Sequence, residues 1–289
     1  MPITTALITA AGYGSRFFPV SKSVQKEMLP VLNRPVLDYL VDDCIAAGIT
    51  SIILIVREGQ DLVRHYYSEQ PQLRTFFEQM GSAKKYEAIE NLHQKARFTF
   101  VTQRDVDGYG TAVPVRLAKQ YLQKEEAFLF LTGDDFMYHP NGETEAGALV
   151  ELWEATKAAA VISAREVDPE QTSRYGIIET EERDGHRFMR SLIEKPAQGT
   201  TDSRLANISK YVLTPAIFPF LHGQAVDSGS GEFYITDTLL SLSKEHSVAV
   251  HVPKGEYLDC GNVAGWLKAN LHLAKHDPAL WAEVLEVCN

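Results

Sequence analysis

The sequence predicts an α/β fold with a mixed, mainly parallel sheet flanked by helices, and two observations support this prediction. First, an apolar strand over 6–10, a loop, a helical stripe from Val36 to Ile45 and a second apolar strand over 51–56 form a βαβ unit. Second, both strands are continuous apolar runs, which is typical of strands that helices cover on both faces. We therefore expect a mainly parallel sheet, with ligands at the carboxyl ends of its strands.

The later elements continue this alternation until the pattern changes near residue 175. Strands are expected over 98–102, 127–132 and 158–164, and helices over 146–153, from Val263 onward and from Pro278. Residues 58–94 are polar and aromatic, which favours two or three surface helices. Between 175 and 193, two short runs flank Asp184-Gly185, a dipeptide typical of tight hairpins, so a smaller antiparallel region is expected there.

Composition restricts the class of protein. With 289 residues, 45% of them hydrophobic, the chain can bury a large core. The formal net charge of −10 argues against partners such as nucleic acid or an anionic membrane, so local positive charge must meet any anionic substrate. Cys44, Cys260 and Cys288 are widely spaced and odd in number, which favours a reducing compartment over a disulfide framework. Since no stretch reaches the roughly 18 apolar residues of a membrane span, we expect a cytoplasmic protein.

The loop after the first strand has the composition of a phosphate-binding site. Gly12 and Gly14 let the backbone approach a ligand closely, and Arg16, Lys22 and Lys26 follow within eleven positions. No acidic residue occurs before position 27. A phosphate there would meet backbone N–H groups and the charges of Arg16 and Lys26. An ordinary strand-to-helix turn is the alternative that this pattern alone leaves open.

Two named phosphate motifs are excluded for this loop. A P-loop requires Gly-x4-Gly-Lys-Ser/Thr, which the loop lacks, and the dinucleotide fingerprint requires a small residue where this chain has Phe17. The remaining pattern is a Gly-x-Gly-x-Arg loop followed by a lysine, and the residues alone do not assign it to a known site.

A candidate metal site follows the strand over 127–132, which ends in Gly133-Asp134-Asp135. Carboxylates at the carboxyl end of a buried strand are candidate ligands for Mg²⁺, which prefers oxygen atoms. A solvated turn or a helix cap is the alternative for an isolated Asp-Asp pair.

The stretch from 10 to 35 also carries a family resemblance. It resembles the signature of the sugar-1-phosphate nucleotidylyltransferases, and its Lys-Glu-Met-Leu-Pro core at 26–30 is most similar to the bacterial UTP:glucose-1-phosphate uridylyltransferases. Gln25 stands where that family usually has proline, and Tyr13-Gly14-Ser15 where Leu-Gly-Thr is common; neither departure removes a charged group. The resemblance covers nearly the whole chain and implies a Rossmann-like fold of the nucleotide-diphospho-sugar transferase type.

The resemblance implies a role for each matched residue on the nucleotide side. Nucleotide binding is implied for Ala11, Gly12, Gly14, Glu27, Gln103 and Gly108. Gln103 and Gly108 match the segment that reads the pyrimidine base, where an amide offers a donor and an acceptor and a glycine exposes backbone groups. Asp134 and Asp259 match the two metal ligands, Asp135 would support them, and the implied cofactor is Mg²⁺. Since Asp134 and Asp259 are 125 positions apart, two distant strand ends must converge.

On the sugar side, three residues match the family pattern. Gly176 matches the glycine that lies against the hexose, Glu194 the carboxylate that accepts hydrogen bonds from its hydroxyls, and Lys195 the ammonium that reaches phosphate. The implied catalytic residues, which neutralise phosphate charge, are Arg16, Lys26 and Lys195. The segment over 206–211 departs from the family's usual Ala-Ile-Val-Gly-Arg-Tyr. The segment over 231–237 matches Gly-Glu-Ile-Gln-Leu-Thr-Asp and is expected to line the sugar pocket or support the fold.

The implied activity is uridylyl transfer from UTP to α-D-glucose 1-phosphate, which yields UDP-glucose and pyrophosphate and needs no protein nucleophile. We expect a homo-oligomer whose chain forms one domain over 1–289. Residues 1–135 would bind mainly the nucleotide and 158–262 mainly the sugar, and 263–289 would form C-terminal helices. Other sugar-1-phosphate nucleotidylyltransferases, such as a thymidylyltransferase, remain open, since one methyl group separates thymine from uracil. A glycosyltransferase is disfavoured, because such enzymes typically use Asp-x-Asp for metal. A non-catalytic regulator would be expected to lack Arg16, Lys26, Asp134 or Asp259.

Overall fold

A nine-stranded mixed sheet runs through the part of the chain that this computed structural model describes, residues 2–221 and 231–288. The strands, in chain order, are β1 (Thr5–Ala10), β2 (Pro30–Val31), β3 (Arg34–Pro35), β4 (Ser51–Arg57), β5 (Arg97–Gln103), β6 (Phe128–Thr132), β7 (Asp135–Tyr138), β8 (Ala160–Glu166), β9 (Gly176–Arg183), β10 (His186–Glu194), β11 (Leu205–Leu213), β12 (Val248–His251) and β13 (Glu256–Asp259). The large sheet has the order β5-β4-β1-β6-β11-β8-β12-β10-β9, and β2–β3 and β7–β13 form two small ladders.

Parallel and antiparallel pairings occupy different regions of the large sheet. Strands β5, β4, β1 and β6 run parallel to one another, and β8 and β12 form a second parallel pair. Strand β11 lies antiparallel between β6 and β8, and β9 and β10 form the hairpin that the sequence predicts. Its turn residues Asp184 and Gly185 have φ of 52° and 76°, the positive values that two-residue hairpin turns favour. The predicted α/β class, with a mixed sheet and a smaller antiparallel region, is therefore confirmed.

Helices cover both faces of this sheet. In chain order they are α1 (Val36–Ala46), α2 (Leu62–Tyr66), α3 (Pro71–Gln79), α4 (Glu87–Glu90), α5 (Val113–Leu117), α6 (Lys119–Leu122), α7 (Glu145–Thr156), α8 (Phe218–Leu221), α9 (Ile235–Ser243), α10 (Val263–Ala274) and α11 (Pro278–Cys288). Ile8 of β1 packs in one apolar cluster with residues of α1 and α7, and Leu7 packs in a second with residues of α5 and α9. Because neighbouring strand residues point to opposite faces, this two-sided burial explains the continuous apolar runs.

The segment over 58–94 forms the short helices α2 to α4, as the sequence predicts. Its aromatic residues divide into two groups: Tyr67 and Tyr86 are buried, whereas Phe76 is exposed. No helix in the described part of the chain is long and apolar enough to cross a membrane. The large sheet takes strands from both 1–135 and 158–262, and the division into these halves stays a prediction.

The sequence did not predict β7, and this strand explains how two distant segments meet. Strand β7 pairs antiparallel with β13, with Asp135 opposite Asp259 and Phe136 opposite Leu258. Phe136 and Leu258 are buried in the main core, which anchors the ladder. The end of β13 therefore lies beside the end of β6.

Candidate active site

A cleft opens at the carboxyl ends of the parallel strands β1, β5 and β6, the edge where open α/β sheets bind ligands. Its lining comes from the loop after β1, the turn at 26–28, the loop between β5 and α5, the end of β6 and the segment before α9. The lining residues are Thr9, Ala11, Gly12, Lys26, Glu27, Gln103, Tyr109, Gly110, Thr111, Pro114, Thr132, Asp134 and Glu232. Six of the residues expected at the active site from the sequence are among them, namely Ala11, Gly12, Lys26, Glu27, Gln103 and Asp134.

The glycine loop wraps around Lys26. A Cβ atom on Gly12 would lie 3.0 Å from Lys26 Cε, so the missing side chain leaves room for the lysine to enter the cleft. Gly14 adopts a left-handed φ of 64°, and its carbonyl accepts a hydrogen bond from Ser21 Oγ at 2.7 Å. The loop is therefore closed by Ser21 and shaped by glycines at the two positions that need them.

Lys26 forms the central ion pair of the cleft. Its Nζ lies 2.5 Å from Asp134 Oδ2 and 3.7 Å from Glu27 Oε1. Burial lowers the pKa of Lys26, but Asp134 and Glu27 outweigh it and hold the pKa well above its ordinary value. Burial likewise works against the charged form of Asp134, yet Lys26 keeps the pKa of this carboxyl below its ordinary value. Both groups are therefore charged at neutral pH.

Glu27 differs from Asp134 although both are near Lys26. Burial raises the pKa of Glu27 to about 7. The positive charge of Lys26 lowers this pKa, but by less than desolvation raises it. Its Oε2 atom is buried and has no hydrogen-bond partner among the described residues. Glu27 is thus a carboxyl group that can carry a proton near neutral pH.

The structure brings Asp134 and Asp259 together. Cys260 N donates to the Asp134 carbonyl at 3.0 Å, and Asp259 Oδ1 accepts from Gly261 N at 2.8 Å. A Cβ atom on Gly261 would lie 2.7 Å from Asp134 Oδ2 and 3.0 Å from Asp259 Oδ1, so these oxygens are no further apart than the sum of those distances. Two oxygens that bind one Mg²⁺ at about 2.1 Å are at most about 4 Å apart, so these two carboxylates can share an ion after at most a small side-chain movement.

Two carboxylates suit Mg²⁺, which takes its other ligands from substrate and water, better than a metal ion whose ligands all come from the protein. The described residues contain no group of three or more His, Cys, Asp or Glu side chains with the geometry of a metal site. Mg²⁺ commonly binds through one or two carboxylates and completes its shell with substrate phosphates and water. Asp134, which lines the cleft, and Asp259, which lies beside it across Gly261, supply two such carboxylates.

Asp135 has a different environment from its neighbour. Its Oδ1 pairs with Lys210 Nζ and accepts from Thr132 Oγ1 at 2.8 Å, and its Oδ2 accepts from Tyr257 Oη at 2.5 Å. Both oxygens are therefore engaged by protein donors, and Asp135 is not available as a metal ligand in this arrangement.

Gln103 and Gly108 lie together at the end of β5. Gln103 Nε2 donates to the Gly108 carbonyl at 2.9 Å, and the Gln103 side chain lines the cleft. Gly108 has a φ of 88°, and a Cβ atom there would lie 3.2 Å from the Phe233 ring. Gly110 is tighter still, since its Cβ would lie 2.3 Å from the Phe233 carbonyl oxygen. Contact with Phe233 is therefore the local reason for glycine at both positions.

Gly176, Glu194 and Lys195 form a separate group on the β9–β10 hairpin. Gly176 pairs with Glu194 across the hairpin, and a Cβ atom on Gly176 would lie 2.9 Å from Glu194 Oε2. Lys195 Nζ lies 3.8 Å from Glu194 Oε1 and 5.8 Å from the centre of the Tyr234 ring. Tyr234 follows Glu232 closely in the chain, so the segment before α9 connects this group to the cleft.

Arg16, one of the expected catalytic residues, makes no hydrogen bond or ion pair with the other expected site residues in the described part of the chain. It lies exposed in a 3₁₀ turn over Ser15–Phe17 and is not part of the cleft lining. Within the described residues its guanidinium group makes no hydrogen bond or ion pair. The loop therefore carries Arg16 without fixing its side chain.

Sequence reasoning did not single out several residues that the structure places at the site. Tyr109, Thr111 and Glu232 line the cleft, and Lys210 pairs with Asp135 behind it. Tyr109 and Thr111 lie in the Gly-x-Gly segment after β5, a signal that could have included them. Lys210 lies in an apolar strand, where only its charge within a buried run marks it as unusual.

Comparisons with known proteins agree with the fold and the cleft. Residues 5–276 match the family model described as nucleotidyl transferase, so the chain belongs to the nucleotidyl transferase family. It is 33% identical over 285 residues to UTP–glucose-1-phosphate uridylyltransferase 2 of Staphylococcus saprophyticus, covering 98% of this chain and 96% of the relative. The family predicted from the sequence is therefore confirmed.

Two solved structures are also similar. A UDP-glucose pyrophosphorylase complexed with UDP-glucose has a TM-score of 0.83 at 26% identity, covering 95% of this chain and 99% of that one. A UTP-bound UGPase from Acinetobacter baumannii has a TM-score of 0.86 at 27% identity, covering 99% of this chain and 98% of that one.

Proposed function

We propose that this protein transfers a uridylyl group from UTP to α-D-glucose 1-phosphate, releasing pyrophosphate and forming UDP-glucose. The observation that carries the proposal is that Lys26 and Asp134 pair in a cleft at the carboxyl edge of the sheet, with Asp259 beside Asp134 across Gly261. The names and bound ligands of the relatives, which match along nearly the whole chain, support the choice of UTP and a glucose phosphate.

The reaction requires alignment and charge neutralisation rather than a protein nucleophile. An oxygen of the sugar phosphate attacks the α-phosphorus of UTP, the bond from that phosphorus to the bridging β-oxygen breaks, and pyrophosphate leaves. The backbone of residues 11–14 and the ammonium of Lys26 face the triphosphate. Arg16, whose exposed side chain has no partner among the described residues, turns toward the same phosphates.

Asp134 and Asp259 are the residues that would hold Mg²⁺, and the ion supplies charge neutralisation on the phosphates when it is bound. Lys26 Nζ lies 2.5 Å from Asp134 Oδ2. When the nucleotide binds, Lys26 exchanges this carboxylate for a phosphate oxygen. The Lys26–Asp134 pair therefore keeps both groups charged and in position before substrate arrives.

The remaining matched residues recognise the two ends of the product. Gln103 lines the cleft and offers its amide to the edge of uracil, with Gly108 held beside it. Glu194 accepts hydrogen bonds from the hexose hydroxyls, Gly176 leaves room for the ring, and Lys195 reaches the sugar phosphate. Gly176 and Glu194 pair at one end of the hairpin and Lys195 follows directly, so these contacts with the sugar would come from one part of the sheet.

A substrate panel tests the proposal. The purified protein is incubated with Mg²⁺ and each of UTP, dTTP, CTP and ATP against glucose 1-phosphate and other hexose 1-phosphates, and pyrophosphate release is measured. The highest kcat/KM is expected for UTP with glucose 1-phosphate. A higher value for dTTP would make the protein a thymidylyltransferase, and no release with any pair would indicate a non-catalytic binding protein.

A further inference from the structure

We infer that Lys210 is a positioning residue for Asp134 and Asp259, acting through Asp135 and Tyr257. The inference rests on the proposed function, because it assigns this network to the metal-dependent part of the reaction. Lys210 lies on β11 opposite Leu131 of β6, and its side chain is 1% exposed. Nothing in the family resemblance assigned a role to this position.

Burial alone does not explain a lysine here. An ammonium group taken out of water carries a large desolvation cost, and an apolar side chain of similar size usually serves a core equally well. The neighbouring residues on β11, Tyr211, Val212 and Leu213, are completely buried without any charge. The charge of Lys210 is therefore directed at a specific partner.

That partner is Asp135, which contacts side chains on three strands: β6 and β11 of the large sheet, and β13 of the β7–β13 ladder. Lys210 on β11 and Thr132 at the end of β6 both contact Asp135 Oδ1, and Tyr257 on β13 donates to Oδ2 at 2.5 Å. Lys210 Nζ also lies 3.5 Å from the Thr132 carbonyl oxygen. With its donors fixed on both sides, the Asp135 side chain cannot rotate without breaking contacts to β6, β11 or β13.

Asp135 and Tyr257 are directly connected to the two carboxylates of the candidate metal site. Asp135 follows Asp134 in the chain, and Tyr257 precedes Asp259 by two positions on β13. The register places Asp135 opposite Asp259, and Cys260 N donates to the Asp134 carbonyl at 3.0 Å. Fixing Asp135 and Tyr257 therefore fixes the separation and direction of Asp134 and Asp259.

The backbone beside Lys210 is held in an unusual conformation. Ser209 has a φ of 55°, a left-handed value that non-glycine residues seldom adopt, at an irregularity in the β11–β8 pairing. Asn207 supports it: its Oδ1 accepts from Ser209 N at 2.9 Å, and its Nδ2 contacts Tyr211 Oη at 2.8 Å. Local constraints thus hold the strand segment that presents Lys210.

Each of the two lysines, Lys26 and Lys210, pairs with a different one of two adjacent carboxylates. Lys26, which lines the cleft, pairs with Asp134, and Lys210, which does not line it, pairs with Asp135. Lys26 can leave its partner for a phosphate, whereas Lys210 is enclosed and stays with Asp135. Lys210 thus keeps Asp135 out of the metal site while Asp134 becomes available.

The test uses variants that avoid an unpaired buried charge. Lys210→Met/Asp135→Asn removes both charges together, Tyr257→Phe removes one hydroxyl, Lys210→Arg keeps the charge, and Lys244→Met is a surface control. For each, we measure the thermal unfolding midpoint, UTP affinity in the presence of a chelator, and Mn²⁺ affinity of the UTP complex by electron paramagnetic resonance. Steady-state kcat and KM for UTP are measured in parallel.

The double variant is expected to fold and to bind UTP in chelator within twofold of wild type. Its Mn²⁺ affinity and kcat should fall by about 10–100-fold, the usual effect of removing an outer partner of a metal ligand. Tyr257→Phe should shift both in the same direction by less, Lys210→Arg should recover most of the loss, and Lys244→Met should match wild type.

Two results would overturn the inference. One is Mn²⁺ affinity within twofold of wild type in the folded double variant. The other is an equal loss of UTP affinity in chelator, which would mean that the network supports the whole cleft rather than the carboxylate pair. If the double variant does not fold, Tyr257→Phe is judged by the same two criteria. If the wild type does not release pyrophosphate, the proposed function is refuted instead. The Mn²⁺ affinity can still be measured in that case, because it does not depend on turnover.

Discussion

At the residue scale, Lys26 and Glu27 show how neighbouring positions in a binding motif take opposite electrostatic states. Lys26 is held charged by Asp134 at 2.5 Å, whereas burial raises the pKa of Glu27 to about 7. Glu27 also has a buried oxygen without a partner among the described residues. Above neutral pH, the cleft therefore contains a buried carboxylate that destabilises the fold.

Replacing Glu27 should change the free energy of unfolding by an amount that depends on pH. Between its ordinary pKa of 4.5 and its folded pKa of about 7, the folded protein binds the proton more tightly than the unfolded chain. The contribution of Glu27 to the free energy of unfolding therefore falls as pH rises through this window. Glu27→Gln should raise that free energy by up to about 3 kcal/mol at pH 8 and leave it nearly unchanged at pH 4.5.

Urea denaturation of the ligand-free protein between pH 4.5 and 8 measures this difference. Glu58→Gln, at an exposed position, is the matched control and should show no such trend. A stability gain for Glu27→Gln that is the same at both ends of the range would contradict the assignment.

Lys26 should matter for turnover far more than for folding. Lys26→Ala removes the ammonium that we propose faces the triphosphate, and loss of one preorganised charge-stabilising contact typically lowers kcat by about 10²–10³-fold. Lys22→Ala, an exposed lysine on the same loop, is the control and should keep nearly full activity. We compare the steady-state kcat of the two variants with UTP and glucose 1-phosphate. Equal losses of kcat would show that Lys26 has no specific role in turnover.

At the scale of elements, the β7–β13 ladder sets the geometry of the candidate metal site. It pairs the residues that follow β6 with the last strand before α10, and the turn after β13 places Gly261 against both carboxylates. Glycine is required there by contact, since a side chain would occupy the space between Asp134 and Asp259. The ladder and this glycine together form the floor of the site.

Gly261→Ala should therefore impair metal use without a large effect on stability. The added Cβ would lie 2.7 Å from Asp134 Oδ2, which forces the carboxylates to move. The Mg²⁺ concentration for half-maximal activity is expected to rise by about tenfold, in the range of other changes next to metal ligands. Unchanged Mg²⁺ activation in Gly261→Ala would show that the carboxylates do not act as a pair.

At the scale of the whole molecule, sequence patterns predicted the elements better than their long-range contacts. The βαβ start, the hairpin at Asp184-Gly185 and the strand ends at Gln103 and Asp134 follow from local periodicity and turn chemistry. Strand β7 was missed because it has four residues and its partner lies more than a hundred positions later. Lys210 was missed for a related reason: its partner Asp135 is on another strand, and no local pattern indicates the pairing.

The family resemblance supplied what local patterns could not. The convergence of Asp134 and Asp259 was expected from motif matches alone, and the structure places their oxygens against the same glycine. Arg16 shows the limit of such matches. It lies on the expected loop, but no contact among the described residues fixes its side chain.

The central claim is that two segments far apart in sequence jointly bind one divalent ion with the nucleotide. Crystals grown with UTP and Mn²⁺ as an anomalous scatterer in place of Mg²⁺ test it most directly. We expect one anomalous peak within about 2.5 Å of carboxylate oxygens from both Asp134 and Asp259, with phosphate oxygens completing the shell. A peak bound to only one of these residues, or to Asp135, would contradict the account.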